Sequence, residues 1–341
     1  MRLHRSCLLA GGAAGLAFGL RRTLPYVWFH DKVVLITGGS RGLGLVLARE
    51  LARRGAKLAI CARDGAELER ARAELAGRGA EVLAVECDVS LPAQAQSLVD
   101  QTLHRFGRLD VLINNAGIIQ VAPVESMGLR DYREAMEINY FGMVQVTLAA
   151  LHHMRKRREG NIVNICSIGG AVAVPHLLPY TASKFAAVGF SEGLCAELRS
   201  CGICVTTILP GVMRTGSFVN AMFKGRQQSE MAWFSLSSSL PGASIAAGRA
   251  ARRILRACAL GETYVTIGLA AKILRFMHAV LPGLMNRAFA LGTMLLPRPG
   301  GAGPDDVAEP GWLHRAPLGP LTKLGDEAAR KNREVPWAPP T

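Results

Sequence analysis

Between Asp31 and Ile113 short apolar runs alternate with amphipathic stretches, and few folds satisfy that alternation. Strands are expected at Val33 to Thr37, Lys57 to Cys61, Val82 to Glu86 and Leu109 to Ile113. Helices are expected from about Leu43 to Arg54, through Glu67 to Leu75 and over Gln94 to Phe106. Strands separated by helices of about 10 to 15 residues imply βαβ units, right-handed crossovers and a parallel sheet. The expected fold class is therefore α/β, a doubly wound parallel sheet in one domain.

The first strand runs into Thr37-Gly38-Gly39-Ser40-Arg41-Gly42-Leu43-Gly44. Glycines between a strand and a helix permit a tight turn and let the backbone approach a pyrophosphate, while the helix N-terminus attracts the anion. Further on, Tyr180-Thr181-Ala182-Ser183-Lys184 follows Pro179. If Pro179 stands just outside a helix that Tyr180 opens, Tyr180 and Lys184 are i and i+4 and share one face. A fixed cation one turn away lowers the pKa of a phenol from about 10 and makes it a usable acid or base. Ser167 follows the apolar run Ile162 to Cys166, so its hydroxyl emerges at a strand's C-terminal end, where open α/β sheets bind ligands.

Asn114-Asn115-Ala116-Gly117 after the fourth strand, Asn139 in Ile138-Asn139-Tyr140, and Pro210-Gly211 complete a set in fixed order. With the glycine loop, Ser167 and Tyr180-x-x-x-Lys184, this set over residues 31 to 265 resembles the short-chain dehydrogenase/reductase family in its single-domain branch, a Rossmann-type fold. The resemblance implies that Gly38, Gly42 and Gly44, with the backbone of Ser40, Arg41 and Leu43, cradle cofactor phosphates. It places Asp88 and Val89 at the adenine, Asn115, Ala116 and Gly117 along the adenosine ribose, and Pro210, Gly211, Val212 and Thr215 over the nicotinamide. Ser167, Tyr180 and Lys184 become catalytic, with Tyr180 and Lys184 also touching the cofactor. Asn139 is implied to hold a water against Lys184 in a proton relay; a helix-kink role is compatible with that. No metal is implied.

Charge argues the cofactor. NAD enzymes place an acid near the end of the second strand, whereas a 2′-phosphate calls for Arg or Lys. Ala62 holds the acid's position, Arg63 follows it and Arg41 sits in the loop. NADPH/NADP+ is expected over NADH/NAD+.

The 341 residues carry a formal charge of +14. The excess lies at the N-terminus and between residues 211 and 296, without aromatic-basic interleaving or zinc spacing, so an anionic membrane surface is a better partner than nucleic acid. Residues 7 to 20 form an uncharged run between Arg2/Arg5 and Arg21/Arg22, short of the roughly 20 residues that span a bilayer. An uncleaved anchor or surface helix is preferred to a signal peptide, with the enzyme on the cytoplasmic side; Tyr26, Trp28 and Phe29 suit an interfacial belt or packing on the domain. The catalytic domain is assigned to 31–267, and residues 217 to 240, rich in Phe218, Met222, Phe223, Trp233, Phe234 and Leu236, read as a substrate lid or as core. In 268–296 an amphipathic helix sets Lys272, Arg275 and His278 opposite Leu269, Ile273, Phe276, Met277 and Val280; it could dock on a membrane, dimerise or cover the site. The proline-rich tail from Pro297 is expected to be disordered or loosely laid on the surface.

The expected activity is an NADP(H)-dependent interconversion of a carbonyl and a secondary alcohol on an apolar substrate, with Tyr180 as general acid/base. The alternatives are a membrane-associated alcohol dehydrogenase oxidising a lipid, sterol or retinoid, and a non-catalytic nucleotide-binding scaffold. A homo-oligomer is compatible with the family.

Overall fold

A computed structural model describes residues 28–239, 244–301, 303–314 and 322–335. Seven parallel strands form the central sheet: β1 (Val33–Thr37), β2 (Lys57–Ala62), β3 (Val82–Glu86), β4 (Val111–Asn114), β5 (Gly160–Ile165), β6 (Ile203–Pro210) and β7 (Tyr264–Ile267). Their spatial order is β7-β6-β5-β4-β1-β2-β3. The order reverses between β1 and β4, which pair Val34 with Val111. A crevice opens at the carboxyl ends of strands at such a reversal, and Thr37 and Asn114 stand there.

Strand alternation divides the core. Val34 and Ile36 face one layer, built with α1 (Gly42–Ala52), α2 (Gly65–Ala76) and α8 (Ala247–Ala259). Val33 and Leu35 face the other, built with α3 (Pro92–Phe106), α5 (Gly142–Arg157) and α6 (Leu178–Leu198). Between these lie α4 (Leu129–Met136), joined to α5 through the π-turn Glu137–Phe141, and α7 (Gln227–Ser239). Phe29 is fully buried in the first layer, which decides its reading for packing on the domain; Tyr26 and the apolar run 7–20 lie outside the described residues.

Three expectations need correction. Pro179 lies inside the first turn of α6, not before it; a first-turn proline loses only an N–H that has no intrahelical partner. The helix α9 (Leu269–Val280) and α10 (Pro282–Gly292) turn apolar side chains outward: Leu269, Ile273, Phe276 and Val280 are exposed. Arg275 instead points inward, donating to Thr266 Oγ1 at 2.9 Å with its guanidinium 4.7 Å from the Tyr264 ring centroid. The tail is not loosely laid in its described parts. Glu309–Pro310 pair with Met222–Phe223, and α11 (Lys323–Lys331) buries Ala329 completely. Gly216, at φ +91°, has no room for a Cβ against the Ala329 backbone, so two segments of the chain meet there at glycine-only distance.

A buried polar chain ties the middle of the sheet to its helices. Asn114 Nδ2 donates to Thr147 Oγ1 (2.9 Å) and Asn164 Oδ1 (2.8 Å), Asn164 Nδ2 donates to Ser191 Oγ (2.9 Å), and the Ser191 and Thr207 hydroxyls are hydrogen-bonded to each other at 2.7 Å. Removing one member strands its partners without water. Asn164→Ala is therefore expected to cost about 2 kcal/mol or more of stability, read from the urea midpoint; an unchanged midpoint would show that the chain contributes nothing net.

Candidate active site

The carboxyl end of β5 delivers Ser167. Its Oγ accepts the Gly169 N–H at 3.0 Å, which fixes the hydroxyl over the short turn Ile168–Gly170. Gly170 has no space for a Cβ against the Lys184 backbone, so this turn and α6 are in close contact. Tyr180 and Lys184 stand one turn apart on α6, with the ammonium 5.8 Å from the centre of the phenol ring. The Tyr180 ring and Ser167 Oγ both lie against Gly169, where a Cβ would stand 3.3 Å from the ring and 3.4 Å from Oγ. The three side chains expected to be catalytic are thus brought together.

Electrostatics here differ from expectation. Tyr180 is half-buried, yet the protein packed around its hydroxyl raises the phenol pKa; the Ser167 hydroxyl works against that rise and Cys166 adds to it. Lys184 is not what sets this direction. Burial lowers the Lys184 pKa, and the ammonium donates to the Ile165 carbonyl at 3.2 Å. Desolvation is the largest cause at both groups. The neighbouring Cys166 thiol, pushed up to about 12 by burial, is neutral.

Asn139 lies fully buried in the π-turn between α4 and α5, so the helix-kink reading holds. Its Oδ1 accepts the Ile118 N–H (2.8 Å), and its Nδ2 donates to the Ile118 carbonyl (3.1 Å) and to Ser183 Oγ (2.9 Å). Ser183 in turn donates to the Tyr180 carbonyl at 2.7 Å. The amide therefore clamps the loop after β4 to the catalytic turn. Gly117 fits beside it, where a Cβ would strike Asn139 Oδ1 and lie 3.5 Å from Lys184 Nζ.

The glycine loop has the close backbone approach that a dinucleotide needs. Gly38 and Gly42 adopt φ +66° and +58°, and a Cβ at Gly44 would overlap the Gly38 carbonyl. Thr37 Oγ1 accepts the N–H groups of Asn115 (2.9 Å) and Ala116 (3.0 Å), and Asn115 Nδ2 donates to the Thr37 and Gly38 carbonyls at 3.0 and 3.1 Å. The loop is thereby bolted to the end of β4. Leu43 is buried within α1, whose first turn holds no acid and whose N-cap, Arg41, makes no side-chain cap. That leaves helix N–H groups for an anion, and these residues fit cofactor phosphates.

Several other residues of the expected set have partners of their own. Arg41 Nη1 meets Glu67 at 3.0 and 3.2 Å, and Ser40 Oγ donates to the same carboxylate at 3.4 Å. Arg63 is exposed. Asp88 Oδ1 accepts from Ser90 N (2.9 Å) and Oγ (2.7 Å), a turn-capping role, with Val89 buried behind it. Pro210 ends β6, the Gly211 N–H donates to Ile267, Val212 is exposed and Thr215 is buried.

Of the lid residues, Phe218 and Phe223 are buried in an apolar cluster with Val121 and Leu177, and Ile119, Val174, Trp233, Phe234 and Tyr180 pack against it. Phe218 and Phe223 are therefore core, and their cluster packs against the phenol ring. Sequence reasoning missed Thr37, although it opens the glycine motif, and Ser183, although it lies inside the Tyr-Lys motif. It also missed Asn220, Asn332 and Glu334, for which no local pattern exists.

The profile of the short chain dehydrogenase family matches residues 32–224. The chain belongs to the short-chain dehydrogenase/reductase family. It is 36% identical over 275 residues to 11-beta-hydroxysteroid dehydrogenase A of Sesamum indicum, covering 79% of this chain and 77% of that one. It is 38% identical over 207 residues to dehydrogenase/reductase SDR family member 7B of Mus musculus, covering 60% of this chain. The match spans 64% of the mouse protein, just under two thirds of its length. Among solved structures, levodione reductase aligns with TM-score 0.62 at 29% identity, covering 72% of this chain and 98% of that one. A short-chain dehydrogenase from Streptomyces avermitilis aligns with TM-score 0.65 at 29% identity, covering 78% and 97%.

Proposed function

We propose that this short-chain dehydrogenase/reductase interconverts a carbonyl and a secondary alcohol on an apolar or amphipathic substrate, using NADP(H). The observation that carries this is the junction of Ser167, Tyr180 and Lys184 beside the apolar wall of Phe218, Val121 and Leu177. A bound nicotinamide would supply and accept hydride; every other part of the chemistry falls to the chain.

In the reductive direction the substrate oxygen sits between the Ser167 and Tyr180 hydroxyls. Ser167 donates a hydrogen bond to the oxygen as negative charge develops, and Tyr180 delivers the proton. Burial raises the Tyr180 pKa, so the phenol carries its proton at neutral pH, the form reduction needs. Lys184 holds a positive charge under the ring, which stabilises the phenolate left behind. Asn139 positions this turn through Ser183, and because its amide is committed, a proton relay through Asn139 would use its backbone carbonyl.

Cofactor choice rests on Ala62 standing where an NAD enzyme carries an acid, with Arg63 exposed beside it. Arg41 joins a 2′-phosphate by exchanging its Glu67 partner. The name of the sesame relative, a hydroxysteroid dehydrogenase, supports an amphipathic ring alcohol or ketone as substrate class. A non-catalytic scaffold would have no use for a buried ammonium beneath a phenol.

The hairpin α9–α10 is assigned to a membrane surface on the cytoplasmic side. Among the described residues no helix is long and apolar enough to cross a membrane. Phe276, Leu284, Leu291, Met294 and Leu295 are nevertheless exposed, with Lys272 and Arg287 exposed among them. Apolar side chains flanked by cations suit an anionic lipid interface.

Two experiments test this reading. NADPH oxidation in detergent against steroid ketones, retinal and long-chain ketones is expected to occur, and Tyr180→Phe is expected to lower turnover by about 100-fold or more. Near-normal turnover in that variant would remove Tyr180 from the chemistry, and equal efficiency with NADH would remove the cofactor preference. Phe276→Asp is expected to reduce co-sedimentation with phosphatidylserine vesicles; an unchanged pelleted fraction would take α9 off the membrane.

A further inference from the structure

The N-terminus of α1 has no acidic residue of its own, yet a carboxylate lies on it. It belongs to Glu334, some 290 residues away in sequence and only 5% exposed. A Cβ at Gly42 would fall on Glu334 Oε1, so the carboxylate occupies the space that the missing side chain leaves open. The Gly42 N–H, one of the helix's free donors, gives its hydrogen bond to the Asn332 carbonyl at 2.9 Å.

The same short segment reaches across to the other wall of the cleft. Asn332 Nδ2 donates to the Thr215 carbonyl at 3.0 Å. Asn220 Nδ2 donates to Glu334 Oε2 at 2.6 Å and to the Glu334 carbonyl at 2.7 Å. Arg41 Nε lies 3.7 Å from Glu334 Oε2. Arg49 donates to the Lys331 carbonyl at 3.0 Å, and Arg333 pairs with Glu74 at 2.9 Å. Residues 331–335 therefore stretch from the glycine loop to the loop after β6.

We propose that residues 331–335 are an internal occupant of the dinucleotide cleft, with Glu334 standing in for a cofactor phosphate, so that cofactor binds only when this segment withdraws. The proposal rests on the reading that the glycine loop binds a dinucleotide. It goes beyond that reading by making the chain's own C-terminal segment a competitor for the site.

The chemistry matches at each contact. A guanidinium and a helix N-terminus that hold a carboxylate hold a phosphate at least as well, since both are oxyanions and phosphate carries more charge. Arg41 cannot turn wholly to a 2′-phosphate while Glu334 and Glu67 hold it. The internal carboxylate is also held at a cost: burial pushes its carboxyl up to about 7 against the opposing pull of Arg41 and Asn220. An anion so poorly solvated is one that a dinucleotide can displace. The helix α11 up to Arg330 stays seated on Gly216 and Phe218 and keeps the released segment close to the cleft.

The test uses the full chain and NADPH as probe. Equilibrium titration of NADPH against wild type and Glu334→Ala is expected to tighten Kd by about tenfold in the variant if the open form is about a tenth of the population. In wild type, hydrogen exchange at the Asn332 and Glu334 amides, which bond to the Ala328 and Ala329 carbonyls, is expected to accelerate when NADPH is added. Equal or weaker binding in the variant would overturn the proposal, because Glu334 would then be neutral or part of the cofactor site. Unchanged or greater protection of those amides with NADPH bound would also overturn it, and this readout needs no substitution. If neither protein binds NADPH or NADH, the cofactor reading and this one both fall; if both bind alike, only this one does.

Discussion

The catalytic end of the molecule depends on one costly placement, an ammonium sealed under a phenol. Lys184 is 5% exposed and its pKa is driven down by burial. A buried charge survives only with partners, and here the Ile165 carbonyl accepts from it. The surrounding glycines follow from this. Gly117 has no Cβ where Asn139, beside Lys184, needs room, and Gly170 has none where its turn meets the Lys184 backbone. The Asn139 clamp through Ser183 then holds the first turn of α6 so that Tyr180 reaches Ser167.

A second constraint governs the other end of the cleft. The loop from Gly38 to Gly44 leaves helix donors bare, and bare donors in a folded protein attract oxygen ligands. In this structure the segment 331–335 provides one through the Asn332 carbonyl, which accepts the Gly42 N–H, and sets the Glu334 carboxylate beside it. The two ends are linked through one apolar cluster, in which Tyr180 packs beside Phe218 and Ala329 is fully buried. The tail thus contacts the phosphate end through Glu334 and the substrate end through α11.

The sheet was legible because its signals are local. Runs such as Val33 to Thr37 and Val82 to Glu86 are continuous enough to mark strands, and spacing alone put Tyr180 and Lys184 on one face. Ser167 could be placed at a strand end for the same reason. The direction of the Tyr180 pKa was not legible, since desolvation depends on how densely distant segments pack round the hydroxyl. The outward apolar face of α9 depends on Arg275 finding Thr266 and Tyr264 on β7, a tertiary contact. The contacts of the tail's described parts were not legible in composition: its prolines suggested disorder or a loose surface segment, but burial of Ala329 against Gly216 is a contact between residues more than a hundred apart.

The most direct test of the central claim follows the transferred hydrogen. NADPH carrying deuterium at its transferable position would be incubated with the protein and a panel of steroid and long-chain ketones, and the alcohols analysed by mass spectrometry. The account predicts deuterium on the carbinol carbon of an apolar product, with the hydroxyl proton drawn from solvent through Tyr180. Tight cofactor binding with no label in any alcohol would contradict it and leave a nucleotide-binding protein without this chemistry.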